Sequence, residues 1–287
     1  MLRLHLSEHK RIDAAIEALD PRDLSSLRLM RFSKFTYETL APHVAEHPGL
    51  ALRVYGQNEY AVGGYWRRRP EIGSIEEMTQ GRYRKPLLLR LVEEFRRRGT
   101  KLVVVYSADL ALFHSFYSNM GFHKLDEIIE LERPGCRDVP DTRHARMSRA
   151  GLGDLSTLLA TDRASFPWLW WNSQKELEWY LRQDSVEVYQ TWCGVDAVGY
   201  AGFSQHGPVG YIDRLAVRPE WQGRGFGAAL LAFVLATMGT RGVSHVGLST
   251  QSSNLRAQAL YRHFGFRRSH RSQRVYGLWL QESLVES

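Results

Sequence analysis

The chain has 287 residues, more than one domain usually holds, so its length favours two compact domains. A hydrophobic fraction of 44% and a charged fraction of 24% are typical of globular proteins and argue against long disordered stretches. The net charge of +7 favours anionic partners weakly, but the basic residues are scattered and match no nucleic-acid-binding motif, which argues against nucleic acid.

The beginning of the chain, residues 1–13, carries charges throughout and has no apolar core of signal-peptide length. The longest apolar run, Ala228 to Ala236, is far shorter than the roughly 20 residues that span a bilayer. Cys136 and Cys193 have neither the number of a disulfide framework nor the spacing of zinc ligands. The sequence therefore predicts a cytoplasmic protein without a membrane segment or a metal site.

The first half of the chain ends with a strand, a helix and a second strand. Residues 101–106 (KLVVVY) predict a strand, and residues 110–119 (LALFHSFYSN) predict a helix. Gly121 just beyond this helix fits a left-handed C-terminal cap, where other residues pay a steric penalty. A polar, strand-like stretch follows Phe122.

Residues 133–142 (RPGCRDVPDT) separate this stretch from the second half of the chain, and their prolines and glycine are typical of a linker. Beyond them, residues 151–166 and 174–183 predict two helices. Residues 186–193 predict a strand, which a Gly-Val-Asp turn joins to its hairpin partner, residues 197–204. An antiparallel hairpin followed by a strand-helix-strand crossover indicates a mixed α+β sheet rather than a doubly wound one.

The rest of the second half alternates strands and helices. Residues 211–217 (YIDRLAV) and 244–249 (SHVGLS) predict strands. Residues 225–239, between them, predict a helix with a broad apolar stripe that suits packing on a sheet. Residues 254–263 (NLRAQALYRH) predict a second helix, which Gly265 ends.

The two halves share the order strand, helix, Tyr-x-x-x-Gly-Phe, strand. The shared pattern begins at Tyr117 in the first half and at Tyr261 in the second. This recurrence predicts a tandem repeat of one α+β fold, in which each domain is a mixed, mostly antiparallel sheet flanked by helices. The predicted domains are residues 1–136 and 142–287.

The clearest chemical signal lies in residues 212–231 (IDRLAVRPEWQGRGFGAALL), where a strand is followed by a glycine-rich turn that opens directly into a helix. Gly223, Gly225 and Gly227 let backbone N–H groups converge without a Cβ in the way. The helix N-terminus adds unpaired donors and the positive end of its dipole. The segment therefore predicts a site for a diphosphate.

Two other phosphate-binding motifs do not fit this segment. A P-loop needs Lys and then Ser or Thr after its last glycine, whereas Ala228 and Ala229 follow Gly227. A dinucleotide fingerprint needs G-x-G-x-x-G and an acidic residue about 20 positions later. The spacing here is G-x-G-x-G, and residues 240–243 contain no acid. A glycine-rich turn that binds nothing stays open on these residues alone.

Residues 222–227 (QGRGFG) resemble the acyl-coenzyme A signature Q/R-x-x-G-x-G/A of the GCN5-related N-acetyltransferases (GNAT), met here by Gln222, Gly225 and Gly227. The stretches LAVRPEWQGRG and NLRAQALYRHFGF also match in order and separation. The resemblance is specific for about residues 142–280 and weak over the first half. It implies an N-acetyltransferase that uses acetyl-coenzyme A (acetyl-CoA) and carries a degenerate first copy.

The resemblance also assigns cofactor contacts. The strand backbone would pair with the pantetheine arm, the amides of the turn would bind the diphosphate, and Arg224 would add charge. Asn254 matches a residue that bonds the pantetheine arm, although a helix N-cap explains it equally. The implied cofactor-binding residues are Leu215, Ala216, Val217, Gln222, Gly223, Arg224, Gly225, Phe226, Gly227 and Asn254.

Two catalytic residues follow from the same resemblance. Tyr261 matches the family's tyrosine that protonates the leaving sulfur, and a phenol with a pKa near 10 suits that role. Packing in the core is the alternative for this side chain. A backbone N–H near Val217 would meet the developing oxyanion. Asp213 is the candidate general base, acting through water, with Glu220 as an alternative; strand alternation places Asp213 on the face of Leu215 and Val217.

The acceptor and the first copy are less defined. Residues 165–173 (SFPWLWWNS) predict either a lid over the acceptor or a packing segment against the first domain. In the first half, residues 75–86 (IEEMTQGRYRKP) occupy the place of the diphosphate turn but keep only Gly81, which argues against coenzyme A there. The expected acceptor is a small-molecule amine or a peptide N-terminus, and oligomers stay open. A non-catalytic acyl-CoA sensor is the alternative function.

Overall fold

The structure, a computed structural model, describes residues 15–107 and 110–280. It divides into two compact units, of which the first comprises residues 1–125 and 274–287 and the second residues 126–273. The signal-peptide expectation concerns residues 1–13, which lie outside the described residues. Across the described ranges, no helix combines the length and the apolarity that crossing a membrane requires.

Within the described residues, the first unit is a six-stranded sheet with three α-helices. Its strands lie in the order β1-β2-β3-β4-β5-β12, and only β4 and β5 run parallel. The elements are β1 (Ile16–Ala18), α1 (Tyr37–Glu46), β2 (Ala51–Val54), β3 (Tyr60–Tyr65), β4 (Ile72–Met78), α2 (Arg84–Arg97), β5 (Leu102–Ser107), α3 (Leu110–Asn119) and residues 274–279 of β12 (Arg267–Trp279).

The second unit repeats this arrangement. Its strands lie in the order β7-β8-β9-β10-β11-β6, and only β10 and β11 run parallel. The elements are β6 (His123–Pro134), β7 (Arg146–Ala150), α4 (Leu155–Ser165), α5 (Gln174–Leu181), β8 (Val186–Cys193), β9 (Asp196–His206), β10 (Val209–Val217), α6 (Phe226–Thr240), β11 (His245–Gln251) and α7 (Leu255–His263). The predicted fold class, two tandem α+β domains with mostly antiparallel sheets, is confirmed.

The two sheets correspond residue by residue around their parallel strands. The β4–β5 ladder runs from Ile72 to Ile75, and the β10–β11 ladder from Val209 to Ile212. A β-bulge follows in each unit, at Glu76 in β4 and at Asp213 in β10, where one residue has no partner in the neighbouring antiparallel strand. These ladders provide an internal alignment of the two copies.

The last strand of each sheet comes from a distant part of the sequence. Strand β6 follows the first copy but pairs with β11, over residues 128–134. Strand β12 ends the second copy, and its residues 274–279 pair with β5. The structural units therefore divide the chain at residues 125 and 273 rather than in the predicted linker. The boundaries 1–136 and 142–287 stay a prediction of where the sequence copies lie.

Helix α6 is the main support of the second sheet. Its predicted stripe, Leu230, Leu231, Val234, Leu235 and Met238, is fully buried in one apolar cluster. Burying a side chain of this size contributes about 1.5–3 kcal/mol, so this face fixes the start of the helix against the end of β10.

Candidate active site

Strands β10 and β11 diverge at the centre of the second unit. They pair only as far as Ile212 and Leu248, although β10 continues to Val217 and β11 to Gln251. Among the described strands, only β9 pairs with residues 214–217. The β11 side of this segment therefore presents backbone groups without a strand partner, at which another extended chain can form hydrogen bonds.

A cavity of about 420 Å³ lies at this divergence, a volume within the usual range for ligand sites. It is lined by most of the residues that the sequence assigns to the cofactor and to catalysis: Leu215, Ala216, Val217, Gln222, Gly223, Gly225, Gly227, Asn254 and Tyr261. The remaining lining residues are Ser165, Phe166, Ala228, Arg256, Ala257 and Leu260. The predicted residues Asp213, Arg224 and Phe226 are not part of this lining.

The glycine turn exposes backbone donors to the cavity. Gly223 and Gly225 have φ angles of +78° and +87°, which a glycine adopts without a steric penalty. Gly225 is the N-cap of α6 and has no side-chain capping bond. Among the described residues, no acceptor receives the N–H groups of Gly225, Phe226 or Gly227. The turn therefore offers unpaired donors at the positive end of a 15-residue helix.

Two side chains tie the turn to its surroundings. The Nε2 of Gln222 donates to the Val217 carbonyl at 2.8 Å, and the Oε1 of Gln222 accepts from Arg256 Nη1 at 2.6 Å. Asn254 is the N-cap of α7, and its side-chain oxygen accepts a hydrogen bond from the Ala257 N–H at 3.1 Å. Arg256 was not among the predicted residues, although its place in the first turn of α7, two residues after Asn254, put it close to the turn.

Tyr261 lies on α7 at the wall of the cavity and is buried, with its ring 6.0 Å from that of Phe266. No hydrogen-bond partner of its hydroxyl occurs among the described residues. Burial raises the pKa of Tyr261 above its ordinary value, and the positive charge of Arg214 opposes that rise. The hydroxyl therefore keeps its proton at neutral pH, beside a cavity to which it can donate.

Asp213 does not line this cavity, and the expectation that it shares a face with Leu215 and Val217 is wrong. The bulge at Asp213 interrupts the alternation of the strand. Its carboxylate accepts from Tyr180 Oη at 2.7 Å and from Ser204 Oγ at 3.2 Å, whereas Leu215 and Val217 pack with α6. Although solvent reaches the residue, surrounding protein atoms raise the pKa of Asp213 to about 6, against the effect of both hydrogen bonds.

A buried ion pair, which no local sequence pattern predicts, holds the tryptophan-rich segment. Asp162 is fully buried and accepts from Arg214 Nε at 2.8 Å and from Tyr200 Oη at 2.6 Å. Arg214 also donates to the Trp170 carbonyl at 2.7 Å, and its guanidinium lies 3.5 Å from the ring centre of Phe166. This pair thereby fixes Phe166 at the cavity wall, whether residues 165–173 act as a lid or as packing.

The back of the glycine turn carries a second cluster of cations and aromatic rings. The guanidinium of Arg224 lies 4.9 Å from the Trp221 ring centre, and that of Arg143 lies 4.2 Å from the Phe226 ring centre. Arg143 Nη1 also donates to the Arg224 carbonyl at 2.8 Å. Sequence reasoning missed Arg143 because it precedes the turn by 81 positions.

Comparison with known proteins gives one family and two curated relatives. Residues 155–266 match the model of the acetyltransferase (GNAT) family. The aminoglycoside N(6')-acetyltransferase type 1 of Stenotrophomonas maltophilia is 33% identical over 72 residues, which are 25% of this chain and 47% of that protein. The mycothiol acetyltransferase of Beutenbergia cavernae is 47% identical over 58 residues, 20% of each chain. The matches thus span less than half of these relatives.

Solved structures share the fold over most of the chain. A GCN5-related N-acetyltransferase from Sphaerobacter thermophilus has a TM-score of 0.65 at 18% identity, covering 94% of this chain and 96% of its own. A tandem GNAT protein from the clavulanic acid biosynthesis pathway has a TM-score of 0.58 at 12% identity, covering 93% and 99%. At these identities the likeness shows the fold, including its tandem arrangement.

Proposed function

Because the chain belongs, through residues 155–266, to the acetyltransferase (GNAT) family, we propose that it is an enzyme that transfers an acetyl group from acetyl-CoA to a primary amine. One observation carries this proposal. The same cavity is lined by the edge of β10 that has no strand partner, by the uncapped amides before α6 and by Tyr261 with its hydroxyl. Along its length, an acyl-CoA needs an anion site for its diphosphate, a backbone partner for its pantetheine arm and a proton donor at its thioester sulfur.

The cavity suits the chemistry of acetyl-CoA. The amides of Gly225 to Gly227 lack acceptors within the described part of the chain, and a diphosphate supplies them. The edge of Leu215 to Val217 can pair with the amides of a pantetheine arm. When bound, acetyl-CoA supplies an acyl group activated as a thioester. The N–H groups of this edge also offer donors for an oxyanion.

We assign the proton transfers to two side chains. Tyr261 holds a proton on its phenolic oxygen at the cavity wall and donates it to the leaving thiolate. Asp213, whose pKa is about 6, is ionised at neutral pH and basic enough to accept a proton. Because Asp213 does not line the cavity, it receives the proton of the amine through water.

For the acceptor we favour a small-molecule amine over a peptide N-terminus. The two curated relatives are named for an aminoglycoside and for mycothiol, both small molecules. The carboxylate of Asp213 and the hydroxyls of Tyr180 and Ser204 form a polar group at the bulge, which suits a charged, hydroxyl-bearing amine.

The test is thiol release from acetyl-CoA by the purified chain with a panel of amines that includes aminoglycosides, other small-molecule amines and peptides with a free N-terminus. Calorimetry with acetyl-CoA accompanies it. Binding together with amine-dependent thiol release supports the enzyme. Binding without release for any amine supports the acyl-CoA sensor, and absence of binding contradicts both functions.

A further inference from the structure

The segment between β6 and β7, residues 135–145, has no helix or strand, yet it makes a specific contact with the glycine turn. Arg143 Nη1 donates to the Arg224 carbonyl at 2.8 Å, and the guanidinium covers the face of Phe226. A Cβ on Gly225 would lie 3.0 Å from Arg143 Cδ. Arg143 thus lies against residues 224–226, at the point where the turn becomes helix α6.

Because the peptide group is planar, the hydrogen bond from Arg143 to the Arg224 carbonyl also determines the direction of the Gly225 N–H. In a trans peptide the C=O and the following N–H point in opposite directions. Because the Arg224 carbonyl is directed to Arg143, the N–H of Gly225 is directed away from Arg143. Gly225 lines the cavity and Arg143 does not. Arg143 therefore holds this peptide from behind, with its N–H on the cavity side.

The peptide needs such a constraint because glycine does not provide one. Gly225 has a φ of +87° and no side chain, so the peptide before it can rotate at little steric cost. No other donor to the Arg224 carbonyl occurs among the described residues, and Gly225 has no side-chain cap. A hydrogen bond from a charged donor is stronger than one between neutral groups and polarises the peptide it joins.

We propose that Arg143 is a positioning residue of the acyl-CoA site, which orients the Gly225 amide toward the diphosphate and adds positive charge behind it. The inference rests on the proposed function and gives the segment between the two copies a role in cofactor affinity. Since Arg143 is itself exposed, its contact adds little to folding stability, and its effect falls on ligand binding.

The experiment compares Arg143→Met, Arg143→Lys and Arg143→Gln in the full-length protein. Arg146→Met is the matched control, because Arg146 is also exposed and also lies over an aromatic ring, at 5.3 Å from the ring centre of Trp192. Calorimetry gives Kd for acetyl-CoA, and steady-state kinetics give kcat and KM for acetyl-CoA and for S-acetyl-pantetheine, which lacks the diphosphate.

We expect Arg143→Met to raise Kd and KM for acetyl-CoA about tenfold with kcat unchanged, the effect of one misdirected donor to a charged ligand. KM for S-acetyl-pantetheine should stay the same, Arg143→Lys should recover most of the affinity, and Arg143→Gln, which keeps a donor but no charge, should recover part. Arg146→Met should match the wild type, and all variants should unfold at the wild-type temperature.

Three results would overturn the inference. They are wild-type affinity in Arg143→Met, an equal loss for S-acetyl-pantetheine, and a fall in kcat without a change in Kd. Each leaves the proposed function intact, because the wild type still binds acetyl-CoA. Failure of the wild-type protein to bind acetyl-CoA would instead remove the proposed function and this inference together.

Discussion

The turns that precede α2 and α6 occupy corresponding places in the two units. They differ in whether the backbone N–H groups before the helix have a hydrogen-bond acceptor. Before α6, the amides of the turn have no acceptor among the described residues. Before α2, the carboxylate of Glu59 accepts the N–H of Tyr83 at 2.9 Å, and a Cβ on Gly81 would collide with that carboxyl group. In the first unit, the Glu59 carboxylate thus occupies the anion site before the helix. In the second unit, the corresponding site is open to a ligand.

The internal alignment shows why the second unit cannot do the same. Ala61 pairs with Met78 in the first unit, and Ala201 pairs with Leu215 at the corresponding place in the second. The position of Glu59 is therefore taken by Gly199, where a Cβ would lie 2.6 Å from the Ala216 carbonyl oxygen. The second unit therefore has no room for a side chain at this position, and no carboxylate from it can bind the amides of the turn before α6.

The corresponding tyrosines, Tyr117 and Tyr261, also differ in whether the hydroxyl has a hydrogen-bond partner. Tyr117 is buried and hydrogen-bonded to Arg84, whose guanidinium lies 5.3 Å from its ring centre and 3.7 Å from that of Phe116. The hydroxyl of Tyr261 has no such partner within the described residues. The hypothesis of a degenerate first copy thereby gains a physical basis, since its anion site and its tyrosine both have internal partners. Matched substitutions in the two units can test it.

The largest difference is expected at the turns. Gly225→Val forces a β-branched residue to a φ of +87° and brings its Cβ within 3.0 Å of Arg143, so the turn must rebuild. We expect acetyl-CoA binding to fall below detection in calorimetry. Gly81→Ala in the first unit displaces only the Glu59 carboxylate and should leave Kd unchanged. An equal loss in Gly81→Ala would mean that both turns serve the ligand.

The next effect is expected at the tyrosines. Tyr261→Phe removes the proposed acid and should lower kcat about 100-fold, the lower range for loss of acid–base catalysis, with Kd for acetyl-CoA unchanged. Tyr117→Phe, the matched change, should keep wild-type kcat because Arg84 already engages that hydroxyl. Rates of thiol release check both variants. Wild-type turnover in Tyr261→Phe would remove this residue as the acid.

A smaller effect is expected at the two bulges, where the pH dependence of kcat/KM can be compared between variants of Asp213 and of Glu76. Because surrounding protein atoms raise the pKa of Asp213 to about 6 and the base must be ionised, kcat/KM should fall as pH drops through 6 and level off above it. Asp213→Asn should remove this limb and lower kcat/KM about tenfold at pH 7.5. Glu76→Gln, at the corresponding bulge, should keep the wild-type profile. A limb near pH 6 that persists in Asp213→Asn would assign the titration to another group.

How far the sequence predicts this molecule depends on whether the signal is local. The strands, helices and glycine caps of the second unit follow from periodicity and turn residues, and most of the residues that converge on the cavity lie in two short motifs. The exchange of β6 and β12 is not encoded locally, because strand pairing joins segments more than a hundred residues apart. The bulge at Asp213 adds one residue to β10, so that Asp213 no longer shares a face with Leu215 and Val217. The apolar pattern of the sequence does not show this shift. The contacts of Arg143 and Asp162 likewise depend on partners 81 and 52 positions away.

The smallest effect is expected from Glu59, and it concerns stability alone. Glu59→Gln keeps an oxygen that can accept the Tyr83 N–H but removes the negative charge at the N-terminus of α2. The loss of a favourable charge–dipole interaction should lower the free energy of unfolding by about 0.5–1 kcal/mol in urea titrations at low salt, and by less as salt screens the charge. Kd for acetyl-CoA should not change, because the open site belongs to the second unit. A control at Glu94, paired with Arg97 at 3.1 Å near the other end of the same helix, carries the same change of charge without the contact to an N-terminus. If Glu59→Gln altered acetyl-CoA affinity, or if it were as stable as the wild type at every salt concentration, the carboxylate would not be acting as the internal anion of the first unit.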